Sequence, residues 1–145
     1  MDKINVKFLR EGACLPTYGT EFSAGADLYA CLDAPVSIAP GQTVKIPTGL
    51  ALELPTGTAG LVFARSSLGT KRGLAPANKV GVIDSDYRGE LMVMLYNHSA
   101  QVQEIAPGER VAQLLVVPVF TPGFMAVEEL SDTLRGQGGF GSTGK

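Results

Sequence analysis

The segment FARSSLGTKRGL, residues 63–74, places one arginine and two serines directly after an apolar stretch. The planar guanidinium of Arg65 matches the oxygens of a phosphate, and the hydroxyl and backbone N–H groups of Ser66 and Ser67 can complete a polar cradle. A solvated loop or a helix cap would use the same residue types. The segment therefore indicates either a phosphate site or an ordinary surface loop.

The segment NKVGVIDSDYRGELMVMLYN, residues 78–97, predicts a strand, a turn and a second strand that form a hairpin. Asn78 supplies an amide that can read the edge of a base, Asp84 a carboxylate that can act as a general base, and Tyr87 a ring that can pack on a sugar. Asp, Ser and Gly also favour turns, so a purely structural hairpin is the alternative interpretation.

Two further polar residues give weaker signals. Asp27 lies among small residues in SAGADLYA, residues 23–30, where a turn is the ordinary explanation. Gln113 is the polar residue inside PGERVAQLLVVPV, residues 107–119, which predicts a buried strand, and a lone glutamine in a strand usually faces solvent. Neither residue by itself indicates a site.

The C-terminal segment RGQGGFGSTGK, residues 135–145, combines glycines with one aromatic residue and one arginine at its head. Its glycines let backbone N–H groups approach a ligand closely. Arg135 and the pair Ser142 and Thr143 suit phosphates, while Phe140 can stack on a base. These residue types are typical of a lid over a nucleotide.

The same segment is too rich in glycine to order itself by burial. The 25 residues after Phe120 reach roughly 80 Å when extended, whereas a compact domain of this size is about 40 Å across. We therefore expect a domain over residues 1–134 and a flexible glycine-rich arm, residues 135–145, that can reach a neighbouring subunit.

The elements that must position these residues are predicted to be strands. Nine prolines and eighteen glycines interrupt the chain, and such frequent breaks with short apolar segments between them are typical of an all-β sandwich or barrel. The best helical candidate, FMAVEEL at residues 124–130, is short. The predicted strand segments are INVKFL, TVKIPTGLALEL, GLVFA, LMVMLYN and RVAQLLVVPVF.

Composition excludes several classes of function. The formal net charge of -2 argues against a surface that coats nucleic acid or is attracted to a membrane. The N-terminal residues MDKINVKFLREG lack the apolar stretch of a signal peptide or membrane anchor, so a cytoplasmic protein is expected. Cys14 and Cys31 have no CxxC spacing, which disfavours a disulfide framework or a zinc site.

Five strings, AGADLYA, ARSSLG, GVIDSDYRG, PGERVAQL and RGQGGFGSTG, together resemble the five motifs of the trimeric dUTPase family, and the resemblance runs over residues 24–144. It implies a jelly-roll-like β-barrel that forms a homotrimer with an exchanged C-terminal arm. It also implies Mg²⁺-dependent hydrolysis of dUTP to dUMP and pyrophosphate, which limits uracil in DNA and supplies dUMP for dTMP synthesis.

The resemblance also implies a role for each candidate residue. Asp84 would contact the 3'-hydroxyl of the deoxyribose and activate the attacking water. Tyr87 would lie against the sugar and exclude the 2'-hydroxyl of a ribose, and Asp27 would support Mg²⁺ through water. The residues implied in binding the base and sugar are Asn78, Gly81, Val82, Ile83, Tyr87 and Met92. Those implied in binding the phosphates are Arg65, Ser66, Ser67 and Gln113, although many relatives have glycine at the Ser67 position.

The arm would close the site of a neighbouring subunit. The resemblance implies that Phe140 stacks on uracil and that Arg135 reaches the phosphates. The arm residues Gly141, Ser142 and Thr143 would complete the contacts to substrate.

Two alternatives belong to other classes. The dCTP deaminases have a similar fold and share an Arg-Ser-Ser-like loop. They carry a glutamate five residues after a glycine, and at the corresponding position this chain has Met94, five residues after Gly89. A thioether cannot transfer protons, so this position disfavours deamination. A binding or structural barrel that has lost its chemistry is disfavoured by the presence of Asp84, Tyr87 and Phe140.

Overall fold

The computed structural model describes residues 3–139, and within them the chain forms twelve strands and one helical turn. The strands are β1 Asn5–Phe8, β2 Thr17–Tyr18, β3 Ala26–Tyr29, β4 Val36–Ile38, β5 Thr43–Pro47, β6 Leu50–Glu53, β7 Thr58–Phe63, β8 Leu74–Pro76, β9 Gly81–Ile83, β10 Met92–Asn97, β11 Gln103–Ile105 and β12 Arg110–Pro118. The helical turn, Ser67–Arg72, is a π-helix.

The strands assemble into one five-stranded sheet, one three-stranded sheet and two ribbons. The five-stranded sheet has the order β2-β3-β12-β7-β9, the three-stranded sheet the order β5-β10-β8, and the ribbons pair β1 with β6 and β4 with β11. Every described pair is antiparallel, and only β2 and β3 are consecutive along the chain. Such crossing between sheets confirms the predicted all-β, jelly-roll-like fold.

The core lies between the sheets and is built from apolar residues of most strands, together with Leu68 of the helical turn. In β10 the side chains of Val93, Leu95 and Asn97 are buried, whereas Met92 and Met94 lie on the opposite face and are more exposed. Burial of one face against the core fixes the register of such a strand, because a slip of one residue would expose the whole apolar set.

The predicted hairpin at residues 78–97 is wrong in its pairing. β9 pairs with β7 in the five-stranded sheet, whereas β10 pairs with β5 and β8 in the three-stranded sheet. Residues 84–91 between them form a connection from one sheet to the other, which we call the corner. A corner replaces a hairpin because each strand buries its apolar residues in a different sheet.

Helix is as rare as the sequence predicts, and residues 124–130 are not helical. The predicted strand TVKIPTGLALEL divides at Thr48 and Gly49 into β5 and β6, which belong to different sheets. In residues 3–139, no helix has the length and apolar character needed to cross a membrane.

Asn97 is fully buried and joins three segments of the barrel. Its Nδ2 donates hydrogen bonds to the carbonyl oxygens of Ile38 at 2.9 Å and Gln101 at 2.8 Å. Its Oδ1 accepts from the backbone N–H and the hydroxyl of Ser99 at 2.9 and 2.7 Å. The side chain therefore uses both its donor and its acceptor capacity in the core.

Replacing Asn97 by Asp should lower the free energy of unfolding by about 2–4 kcal/mol, because a buried carboxylate oxygen would then face two carbonyl oxygens. Urea unfolding at one protein concentration measures the loss. Gln101→Ala is the matched control, because only the backbone of Gln101 takes part in the network, and it should change stability by less than about 0.5 kcal/mol. Equal losses in the two variants would contradict the role of Asn97.

Candidate active site

Asp27 is buried at the centre of a cluster of charged residues formed by three neighbouring strands. Its Oδ1 accepts a hydrogen bond from Arg65 Nε at 2.6 Å, and its Oδ2 accepts one from Arg110 at 3.2 Å. Asp27 lies on β3, Arg110 begins β12, and Arg65 follows β7. The carboxylate therefore orients two guanidinium groups, and the cluster has a net positive charge that suits an anion.

Gln113 lies beside this cluster and is half-buried, whereas a lone strand glutamine is usually exposed. It stands opposite Asp27 on one side and Phe63 on the other, and its Nε2 donates to the carbonyl of Ala64 at 2.9 Å. A Cβ at Gly25 would lie 2.6 Å from the Gln113 Oε1, so only glycine lets the amide take this position. The half-buried amide borders the cluster.

Arg110 is the site residue that the sequence analysis missed. Regular alternation would place Arg110 and Gln113 on opposite faces of β12, because they are three residues apart. The pairing with β3 shifts between Arg110 and Ala112, so Val111 is an extra residue. This bulge puts Arg110 and Gln113 on one face. The arginine in PGERVAQL could have suggested a phosphate ligand, but the alternation of polar and apolar residues gave no sign of the bulge.

A cavity of about 340 Å³ opens over these residues. Ser66 stands at the N-cap position of the helical turn, but its hydroxyl forms no capping hydrogen bond, so its side chain does not cap the helix. The Ser67 hydroxyl accepts from Arg65 at 3.4 Å. The residues that line the cavity are Gly19, Ser23, Ala24, Gly25, Asp27, Arg65, Ser66, Arg110 and Gln113. We call this set the anion cradle, with Ser67 at its edge.

A second group of candidate residues surrounds β9. Asn78 is exposed in the turn before the strand, and its Nδ2 lies near Gly81. β9 is the last strand of its sheet and pairs only with β7 among the described residues. The outer edge of Gly81, Val82 and Ile83 therefore presents backbone donors and acceptors that can bind the edge of a base.

The corner follows β9 and carries Asp84 and Tyr87. The Asp84 side chain is exposed, and the backbone N–H of Tyr87 donates to the Asp84 carbonyl at 3.1 Å. The Tyr87 ring is 45% exposed, and its hydroxyl donates to the Glu90 carbonyl at 3.1 Å. Met92 begins β10 just after the corner and is half-buried. A carboxylate, an exposed ring and the open edge of β9 thus follow one another closely along residues 81–87.

Glu90 anchors the end of the corner. Its carboxylate accepts two hydrogen bonds from Arg10, each of 3.0 Å, and one from the backbone N–H of Gly49 at 2.9 Å. The hydrogen bond from Arg10, helped by the Gly49 amide, holds the pKa of Glu90 below its usual range, although burial acts in the opposite direction.

This lowered pKa predicts how stability depends on pH. Because the folded-state pKa of Glu90 lies below the unfolded value of about 4.3, the charged form stabilises the protein above that value, and the contribution is lost as the pH falls through the folded-state pKa. Glu90→Gln should therefore be less stable than the wild type at pH 7, by about 1 kcal/mol, and the difference should shrink towards pH 3. Urea unfolding across this range measures it; a difference that stays constant would contradict the prediction.

The anion cradle and the corner are far apart within one chain. β7 lies between β12 and β9: its Phe63 pairs with Gln113 of β12, and its Gly60 pairs with Ile83 of β9. Asp84 directly follows Ile83. Strand rise and strand spacing then put Asp84 about 15 Å from Gln113. One chain therefore does not bring its carboxylate to its own cradle.

The predicted residues of the arm are only partly described. Arg135 is exposed, and its Nε donates to the carbonyl of Gly138 at 2.9 Å. Phe140, Gly141, Ser142 and Thr143 lie outside the described residues.

A family model described as dUTPase matches residues 11–144. The deoxyuridine 5'-triphosphate nucleotidohydrolase of Desulfitobacterium hafniense (strain DSM 10664 / DCB-2) is 50% identical over 145 residues, covering 98% of this chain and 96% of the relative. A mutant dUTPase of Staphylococcus bacteriophage 80alpha, solved with dUpNHpp, has a TM-score of 0.91 and 28% identity, covering 100% of both chains. A mutant dUTPase from phage phi11 of S. aureus, which coordinates a structural Mg(II) ion, has a TM-score of 0.79 and 26% identity, covering 88% of this chain and 98% of the other.

The family model spans nearly the whole of the chain, and a relative of similar length is identical at half of the aligned positions. The chain therefore belongs to the dUTPase family.

Proposed function

We propose that this chain hydrolyses dUTP to dUMP and pyrophosphate. The observation that supports the proposal best is the combination of a positively charged cradle with an exposed carboxylate and ring beside a base-reading strand edge. The family membership of the chain and the names of its relatives agree with this activity. In the cell, the reaction would limit uracil in DNA and supply dUMP for dTMP synthesis.

In the proposed mechanism Asp84 accepts a proton from water as the water oxygen bonds to the α-phosphorus. The bond from that phosphorus to the oxygen bridging to the β-phosphate breaks, and pyrophosphate leaves with the bridging oxygen. Arg65, Ser66, Ser67 and Gln113 hold the phosphates and stabilise the charge that develops on them. Asn78 and the edge of β9 select uracil, while Tyr87 packs on the deoxyribose.

The active site is proposed to be shared between the copies of a homotrimer. A water activated by Asp84 must lie within hydrogen-bond reach of the phosphate it attacks, whereas the cradle of the same chain is about 15 Å away. A cradle from a second copy removes this conflict. The arm, residues 135–145, then closes the site of a neighbouring subunit, with Phe140 on uracil and Arg135 on the phosphates.

The segment between β12 and the arm supports an assembly. In the described part of the chain, none of the hydrogen bonds of residues 120–139 joins this segment to the rest of the protein. A monomer would leave a long apolar surface in water, which is unusual outside interfaces. The exposed apolar side chains of this segment are Phe120, Phe124, Met125, Val127, Leu130 and Leu134.

Mg²⁺ is the proposed cofactor, held chiefly by the triphosphate. Residues 3–139 contain no cluster of three or more His, Cys, Asp or Glu side chains that could hold a metal, and both oxygens of Asp27 already accept from guanidinium groups. These residues fit an ion that keeps its waters and contacts the protein through them. When bound, the ion neutralises phosphate charge in the transition state.

The competing functions are less well supported. Met94, at the position of the deaminase glutamate, is exposed on β10, and the carboxylate nearest to it in sequence, Glu90, is engaged with Arg10 and Gly49. A barrel without chemistry would not require Asp84 beside an exposed Tyr87. A cytoplasmic location, without nucleic-acid or membrane partners, agrees with two free thiols and the net charge of -2.

Release of pyrophosphate from dUTP, UTP, dTTP and dCTP by the purified chain with Mg²⁺ tests the proposal. We expect kcat/KM to be far higher for dUTP than for the other three nucleotides, because in the proposed site Tyr87 excludes a 2'-hydroxyl while Asn78 and the edge of β9 select uracil. Comparable kcat/KM on dTTP would contradict the proposal. Ammonia released from dCTP would instead support the deaminase alternative.

A further inference from the structure

The peptide that joins Glu90 to Leu91 is held by contacts on three sides. The Glu90 carboxylate accepts from Arg10 and from the Gly49 N–H, as described above. The Leu91 N–H donates to the Leu50 carbonyl at 2.7 Å. The Glu90 carbonyl, which points away from that N–H, accepts from the Tyr87 hydroxyl.

The Tyr87 ring packs on the backbone beside this peptide. A Cβ at Gly89 would lie 2.4 Å from the Tyr87 hydroxyl oxygen and 2.6 Å from the ring carbon that bears it, so the ring lies directly over Gly89. Apart from this contact, the hydroxyl's hydrogen bond to the Glu90 carbonyl is the one side-chain hydrogen bond described for Tyr87. The position of the ring therefore depends on the position of the 90–91 peptide.

We infer that Glu90 is a positioning residue for sugar selection: its carboxylate, clamped by Arg10 and Gly49, fixes the 90–91 peptide and thereby the Tyr87 ring that excludes a ribose 2'-hydroxyl. The inference rests on the proposed function, in which Tyr87 packs on the deoxyribose. Without the carboxylate, Leu91 is still held by its N–H bond to Leu50 and by Thr48, whose backbone N–H and hydroxyl donate to the Leu91 carbonyl. The Glu90 side of the peptide then keeps only the bond from the Tyr87 hydroxyl. The Glu90 end of the corner can then shift, and the ring can yield to a 2'-hydroxyl.

The experiment compares the ratio of kcat/KM for dUTP to that for UTP in the wild type, Glu90→Ala, Glu90→Gln and Tyr87→Ala. Glu90→Ala should lower the ratio about tenfold, with kcat for dUTP changed less than about twofold. Glu90→Gln should retain most of the ratio, since its amide oxygen still accepts from Gly49. The matched control is Glu53→Ala, which removes a partner of Arg88 in the same corner and should leave the ratio unchanged.

The outcomes separate this inference from the proposed function. A wild-type chain that releases no pyrophosphate from dUTP would refute the proposed function. If the wild type is active, two results would overturn the inference alone. In the first, the dUTP-to-UTP ratio of kcat/KM falls sharply in Tyr87→Ala but is unchanged in a folded Glu90→Ala. In the second, the ratio falls as much in Glu53→Ala as in Glu90→Ala. If Glu90→Ala does not fold, Arg10→Ala removes two of the three bonds to the carboxylate and should lower the ratio about threefold; an unchanged ratio there would overturn the inference.

Discussion

Replacing Asp84 by Asn is expected to lower kcat for dUTP by about 10²–10⁴-fold, the range for loss of a general base. The amide cannot accept the proton of the attacking water, whereas its size and hydrogen-bonding oxygen preserve the corner. Because the Asp84 side chain is exposed and no described hydrogen bond involves it, stability should hardly change. Steady-state kinetics, thermal unfolding and binding of a non-hydrolysable dUTP analogue measure these three quantities.

Asp86 offers the matched control for this variant. It lies two residues along the same corner and is also exposed, so Asp86→Asn makes the same change of charge close to the site. We expect near wild-type turnover from it. If Asp84→Asn kept near-normal kcat, or if both variants lost activity equally, Asp84 would not be the base.

The second large effect is the recovery of activity from two inactive chains. One chain carries Asp84→Asn with its arm intact, and the other retains Asp84 but ends before Arg135. Each alone should be nearly inactive. If the Asp84 and the arm of one site belong to different subunits, random co-assembly at equal amounts supplies each with a probability of about 1/2, so about a quarter of the wild-type activity returns.

Activity should return only after the two chains are co-expressed, or unfolded and refolded together, because the subunits of the proposed trimer must first mix. Mass measurement of the mixed trimers is the control for assembly. Mixed trimers that remain as inactive as their parents would contradict the shared site and would leave the arm as a lid over its own subunit.

Much of the fold and of the candidate site could be predicted from local pattern. The alternation in LMVMLYN predicts a strand at the place where β10 forms, and frequent proline and glycine exclude long helices. The side chains of Arg65, Asp84 and Tyr87 already indicate, in that order, phosphate binding, general-base catalysis and packing on a sugar. These properties depend on a few neighbouring residues, so they are visible in the sequence without knowledge of what packs against them.

Pairing between distant segments could not be predicted in the same way. Residues 78–97 have the pattern of a hairpin, yet β9 and β10 join different sheets because each buries its apolar face with different partners. Arg10 and Glu90 are 80 residues apart and contact each other only because the end of β1 and the corner both meet the start of β6. No local pattern records such a contact.

The sequence by itself determined an all-β chain, its strand segments and the residue types of a nucleotide site. Only the tertiary structure decided that Asp27 engages two arginines, that the bulge at Val111 turns Arg110 towards Gln113, and that Asp84 lies far from the cradle of its own chain. The physical reason is that backbone propensity and side-chain alternation act over a few residues, whereas register, bulges and sheet order are set by burial of the whole core at once.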